Sequence, residues 1–231
     1  MTKGIVIYYQ EYKEHDAIIH ILGEDQVYSC VCKGVLKINS KNKSAIQLFT
    51  YSDFEFVDNQ RSMKTLKHAT IINAFIDIRK DLLKQACALY LCECMDKSNV
   101  IAFELLYQTL MHLEKEVYST MSLFQAKLNE LVGVKAYVDG CVKCNTTNVV
   151  SLSLVDGGFV CRNCNNVEYD DVSFLKQFRL YSKAELIHYD LLVQTYPADF
   201  SLFESFYLFF KEYAGINIKS YKFLKMLMDE M

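Results

Sequence analysis

The chain has 231 residues, 52% of them hydrophobic and 13% aromatic, enough apolar surface to bury a sizeable core and to divide into two or three small domains. That composition excludes an intrinsically disordered chain, and no apolar stretch approaches the roughly 20 residues needed to span a bilayer. Net charge is −3, yet residues 1–80 carry eleven basic against nine acidic side chains, so only the N-terminal part is basic.

The first 72 residues read as strands. Segments 4–11, 17–22, 26–33, 45–58 and 62–72 are rich in Ile, Val, Tyr, Phe and Thr, and polar turns break them at 23–25, 39–42 and 58–60. Five strands in about 70 residues predict a small closed sheet, and the five-stranded Greek-key barrel of the OB-fold is the common solution at that size. From residue 76 the apolar spacing turns helical: Leu82, Leu83, Ala86, Leu89 and Tyr90, then Phe103, Leu106, Leu110 and Leu113. A further helix is predicted over 119–131, stopped by Gly133. Two more are predicted over 173–196 and 201–213, separated by Pro197. Ser201-x-x-Glu204 has the form of a capping box and Gly215 that of a stop. The expected class is α+β. An OB-fold barrel occupies 1–75, and an α-helical domain occupies 76–231 with a four-cysteine zinc-finger insert over 138–170.

That insert contains Cys141-x-x-Cys144, sixteen residues, then Cys161-x-x-Cys164. This is the spacing of a four-thiolate zinc site, because each pair grips the metal from one tight turn while the intervening segment returns as a hairpin. Gly140, Asn145, Gly157, Gly158, Asn163 and Asn165 crowd the turns, where positive backbone angles are expected. Four thiolates leave no open coordination position, so one structural zinc per chain is expected rather than a source of activated water. Two disulfides or a redox Cys-x-x-Cys are the alternatives. Neither suits a chain with no signal peptide and five further cysteines, Cys30, Cys32, Cys87, Cys92 and Cys94, in apolar settings; a reducing cytoplasm accounts for all nine.

A second cluster is Lys33-Gly34-x-x-Lys37-x-x-x-Lys41-x-Lys43, four lysines in a polar loop between strands. Flexible ammonium groups of this kind contact phosphates without reading sequence. Arg61, Lys64 and Lys67 extend the track, and Tyr8, Tyr28, Phe49, Tyr51, Phe54 and Phe56 are available either to stack unpaired bases or to fill the barrel. Lys219, Lys222 and Lys225 fall on one face of a C-terminal helix, read first as its wetted face and second as a supporting DNA contact. His112-x-Glu114 followed by Cys141-x-x-Cys144 imitates a zinc-deaminase signature. Gly140 replaces the proline that signature needs, and the reading leaves Cys161 and Cys164 without a purpose. No glycine-rich phosphate loop is present, so an NTPase is not supported, and no serine or cysteine nucleophile has an evident His partner.

Taken in order, these pieces resemble the bacterial RecO family of DNA repair and recombination mediators along the whole chain. The resemblance is carried by Gly4-Ile5-Val6-Ile7 to Tyr12-x-Glu14-x-Asp16 and by Lys33-Gly34 to Ser40. It continues in Phe124 to Leu131 with Gly133, in Cys141-x-x-Cys144 and Asp156-Gly157-Gly158-Phe159-Val160-Cys161-x-x-Cys164, and in Lys219-Ser220-x-x-Phe223-Leu224. It implies an OB-fold, a helical domain and a zinc finger in a non-enzymatic, cytoplasmic, nucleoid-associated protein of the RecF pathway. Such a protein binds single- and double-stranded DNA and anneals complementary strands coated with single-stranded DNA-binding protein (SSB). It binds RecR and the SSB C-terminal tail, helps load RecA, and is monomeric on its own. Carried over residue by residue, the zinc ligands are Cys141, Cys144, Cys161 and Cys164, and the DNA contacts are Lys33, Lys37, Lys41 and Lys43. The all-lysine loop and negative net charge depart from the more basic, arginine-containing family pattern, so weak, salt-sensitive binding is expected. The competing readings are an OB-type RNA-binding factor with a zinc ribbon and an adaptor that binds no nucleic acid.

Overall fold

The computed structural model describes residues 1–57, 63–165 and 168–229. Five strands close a barrel in the order β1-β2-β3-β5-β4: β1 (Thr2–Tyr12), β2 (Asp16–Leu22), β3 (Val27–Cys32), β4 (Tyr51–Phe56) and β5 (Lys64–Asn73). Antiparallel pairs run from Tyr12↔Asp16 to Ile5↔Leu22 and from Ala17↔Cys32 to Leu22↔Val27. The barrel closes through a short parallel contact of β3 with β5, Cys30↔Lys64 and Val31↔Thr65. This is the OB-like barrel expected from the sequence.

Period-two alternation builds much of its core: Ala17, Ile19 and Ile21 of β2 face inward with Cys30 and Cys32 of β3 and Phe54 of β4, while Leu66 and Ala69 of β5 reach it three residues apart across an irregularity in the β4–β5 pairing. The 45–58 strand proves shorter than expected, beginning at Tyr51. Ala45 and Ile46 belong to the barrel core instead, and Phe49 turns the chain with a positive φ of 52°. Arg79 holds that turn, lying 4.1 Å over the Phe49 ring and donating to Leu48 O at 2.8 Å and Thr50 Oγ1 at 2.7 Å.

Helices follow: α1 (Ile76–Arg79), α2 (Leu82–Ser98), α3 (Phe103–Leu113), α4 (Tyr118–Leu131), α5 (Val172–Lys183), α6 (Tyr189–Thr195), α7 (Phe200–Phe209) and α8 (Ser220–Asp229). A two-stranded hairpin, β6 (Val149–Ser153) with β7 (Gly158–Cys161), lies between α4 and α5. The last barrel strand ends at Asn73, but compactness divides the chain elsewhere: one unit comprises 1–115 with 218–231, the other 116–217. Thus α1 to α3 and the C-terminal α8 belong with the barrel rather than with the remaining helices.

In the second unit, Phe178 stacks on Phe206 with ring centroids 4.2 Å apart, among Phe159, Tyr181, Leu202 and Phe209. Two expectations are corrected here. The helix over 173–196 breaks at Ala184, whose ψ is 148°, because Glu185 leaves the helix to cap a turn with His188 and to pair with buried Lys127 at 2.9 Å. The cap of α7 is Asp199, accepting from Leu202 N at 3.1 Å; Ser201 lies inside the helix and donates to Asp199, so Ser201-x-x-Glu204 is not the capping box. Gly133 (φ 78°) follows α4 and Gly215 (φ 66°) ends the last turn after α7, both in left-handed conformations. No helix among the described residues is long and apolar enough to cross a membrane.

Candidate metal centre and nucleic-acid interface

Cys141, Cys144, Cys161 and Cys164 converge, every sulfur lying within 4.8 Å of the others and Cys144 Sγ 3.6 Å from Cys161 Sγ. A tetrahedron with metal–sulfur bonds of about 2.3 Å places sulfurs roughly 3.8 Å apart, so the cluster has the size of a four-thiolate metal site. All nine cysteines are free, so the paired-disulfide arrangement is not adopted. Each pair sits on a tight turn: Asn145 N donates to Cys141 O at 2.8 Å with Asn145 at φ 61°, and Cys164 N donates to Cys161 O at 3.1 Å. Desolvation pushes the Cys141 thiol up, but N–H groups of Cys161, Lys143 and Cys144 aimed at its sulfur outweigh it and bring it to about 6. The neighbouring sulfurs of Cys161 and Cys144 push Cys164 up to about 12. Four sulfurs this close do not all ionise without a cation among them, which is the chemistry of a divalent-metal site.

Of the six turn residues expected at positive φ, only Asn145 and Gly157 adopt it. Gly140 and Gly158 are needed for closeness instead. A Cβ on Gly158 would lie 2.2 Å from Tyr137 O, where the segment before the first cysteine pair bridges to β7. Arg179 and Lys183 of α5 hold the base of the insert, Arg179 donating to Val138 O at 3.0 Å and both pairing with Asp139. His112 is on α3 in the other unit, and the cluster is made of cysteines alone.

The basic loop spans the turn segment between β3 and β4. Lys33, Lys37, Lys41 and Lys43 are all exposed, and among the described residues none has a carboxylate within ion-pair distance. The loop is nevertheless fixed. Asp16 accepts from Gly34 N at 2.7 Å, Leu36 N donates to His15 O, and Val35, Ala45 and Ile46 enter the barrel core. Asn42 clasps β5 by accepting from Ala69 N at 3.1 Å and donating to Lys67 O at 3.4 Å. Asp16 and Asn42 were invisible to spacing arguments because their partners lie 18 and 27 residues away along the chain.

The rest of the expected track is less uniform. Lys67 lies beside the loop but pairs with Glu55 at 2.5 Å, Lys64 is half-buried at the β3–β5 closure, and Arg61 lies outside the described residues. Phe49 and Phe54 are buried, Tyr51 packs against Phe103 and Tyr107, and Tyr28 packs on Phe56, so most of the aromatic set is packing. Tyr8 is half-exposed and stacks on His20 at 4.5 Å. Lys219 and Lys222 are exposed and Lys225 half-buried at α8, in the same unit as the barrel.

A closed five-stranded barrel bearing a fixed lysine loop, in a chain that also carries a four-cysteine clip among helices, belongs to the class of OB-type barrel proteins with an accessory metal finger. Family models agree: the model of the Recombination protein O N-terminal region matches residues 1–75, and that of the C-terminal region matches residues 79–180. Together they cover more than three quarters of the sequence, and the chain belongs to the RecO family. Proteins named DNA repair protein RecO align along 98% of it. The one from Halalkalibacterium halodurans is 27% identical over 94% of its own length, that from Bacillus pumilus 28% over 93%, and one from Bacillus cereus 29% over 96%.

Proposed function

We propose that this protein is a non-enzymatic mediator of DNA repair and homologous recombination, acting in the cytoplasm on the nucleoid. In this reading it binds single- and double-stranded DNA, anneals complementary strands coated with SSB, and with RecR helps load RecA in the RecF pathway. The observation that supports it most directly is the lysine loop, four exposed cations without carboxylate partners among the described residues, held on an OB-type barrel. Family membership supports the same reading.

Annealing by such a surface needs no acid or base. Two complementary strands repel through their phosphates, and ammonium groups that hold one strand by its backbone reduce that repulsion while leaving base edges free to pair. Lys33, Lys37, Lys41 and Lys43 would make those contacts, with Lys64 secondary and Lys67 available once released from Glu55. The metal is zinc, one per chain, held by Cys141, Cys144, Cys161 and Cys164; four thiolates suit it, and its role is to fix the hairpin rather than to react. The SSB tail and RecR are the proposed protein partners.

The test is annealing of two complementary oligonucleotides, each coated with the cognate SSB, at low salt. Acceleration that disappears when Lys37, Lys41 and Lys43 are together changed to Glu is the expected result. Acceleration that survives the triple change would remove the loop from the mechanism. Strong preference for RNA over DNA would favour the RNA-binding alternative, and no binding to either at low salt would leave an adaptor.

A further inference from the structure

Beyond the lysine loop, the barrel unit contains a cleft of about 350 Å³ where β1, the end of the basic loop, α2 and the start of α8 meet. Its wall is apolar: Ile7, Tyr9, Leu48, Leu89 and Cys92. Its polar end has a fixed acceptor, the carboxylate of Asp96, whose Oδ1 accepts from His20 Nδ1 at 2.5 Å while His20 is itself stacked on Tyr8, another lining residue. Among the described residues that carboxylate takes no other hydrogen bond. Glu93, by contrast, is fully engaged, accepting from Lys219 N, Ser220 N, Ser220 Oγ and the Lys97 ammonium. The exposed Lys219 lines the same cleft with no carboxylate at its ammonium group among the described residues.

We propose that this cleft receives one nucleobase of a bound single strand, a proposal that rests on the DNA-binding reading above. The size and apolar wall suit a planar ring, which the Tyr8 side chain also contacts. The carboxylates repel phosphate, so the backbone stays outside near Lys219 and the base enters. Asp96 then accepts from a donor on the base edge, which selects an exocyclic amino group: cytosine offers N4–H, whereas thymine presents a carbonyl oxygen there. Leu48, in the cleft wall, lies five residues beyond Lys43 on the same loop, so the cleft is continuous with the segment that carries the lysines. Neighbouring bases remain free to pair, as annealing requires.

The test compares oligo(dC) and oligo(dT) of equal length across a salt series. The expected result is about tenfold tighter binding of oligo(dC), a charge-assisted hydrogen bond being of that order. The preference should collapse towards unity in Asp96→Asn, which removes the charge and exchanges one of the two carboxylate oxygens for an amide donor, and in Leu89→Trp, which fills the cleft. The salt dependence should stay close to that of the unaltered protein in both, since neither changes a lysine that contacts phosphate. Equal binding of the two oligonucleotides by the unaltered protein would overturn the cleft assignment while leaving the DNA reading standing, as would a preference that persists in both variants. If neither strand binds at any salt, the DNA reading itself fails; calorimetry that then showed uptake of free dCMP would reassign the cleft to a nucleotide and overturn its assignment to a strand.

Discussion

Asp16 illustrates how one side chain sets the geometry of a binding loop. Its negative charge disfavours phosphate, yet its acceptance from Gly34 N fixes the first turn after Lys33. Asp16→Ala should cost about 1 kcal/mol in chemical denaturation, the usual net worth of a half-exposed hydrogen bond. It should also slow annealing, because lysines on a loosened loop lose more entropy on contact. Gly158 acts through what it lacks. Gly158→Ala forces a methyl against Tyr137 O and should destabilise the protein by about 3 kcal/mol in the same measurement. The four cysteines were legible from the chain alone, since each gripping pair is contiguous. Asp16, Asn42 and Arg79 were not, since hydrogen-bond partners distant in sequence leave no periodic trace.

Among the helices and strands, α8 docks through buried Leu224 and Met228 and through one carboxylate that caps its first turn. Glu93 is desolvated, which would raise its pKa, but Lys97 and the N–H and hydroxyl groups at the start of α8 outweigh that and lower it from 4.5 to about 2. A depressed carboxylate stabilises the fold fully above its unfolded value of 4.5, and that stabilisation is lost as pH falls from 4.5 through about 2. Glu93→Gln should therefore cost on the order of 2 kcal/mol at pH 7, read from urea denaturation, and the difference from the unaltered protein should vanish near pH 2. The cysteine hairpin is the other dependent element. Two short strands and two turns bury little on their own, and Cys141→Ser with Cys144→Ser should remove bound zinc and lower stability by several kcal/mol. Metal analysis and thermal unfolding with and without a chelator check this; a protein purified without stoichiometric metal, yet as stable as before, would contradict it. Element types were readable here because apolar spacing is local. The break at Ala184 was not, because a helical pattern through 173–196 is overridden by the pairing of Glu185 with a lysine 58 residues away.

Across the protein as a whole, the relevant quantity is the contrast between a net charge of −3 and a loop of four exposed lysines without a carboxylate partner among the described residues. Distant acidic groups are screened within about one Debye length at physiological salt, so the loop acts locally and the global charge governs mainly the low-salt regime. If those four lysines each neutralise one phosphate, log affinity for single strands should fall against log salt with a slope of about −3, measured by fluorescence anisotropy. Changing Lys37, Lys41 and Lys43 to Glu should flatten that slope towards zero while the circular dichroism spectrum is retained. Strand alternation, helical spacing and metal-ligand spacing are all properties of contiguous residues, so the barrel-then-helices order, the cysteine clip and the location of the basic loop could be read along the chain. Three dimensions were needed to show that α1 to α3 and the last helix belong with the barrel, that Lys67 is already paired, and that a cleft with an anchored Asp96 lies beside the loop. Each of those depends on which distant side chains meet, and that is settled by packing and charge pairing across the fold rather than by any pattern along the chain.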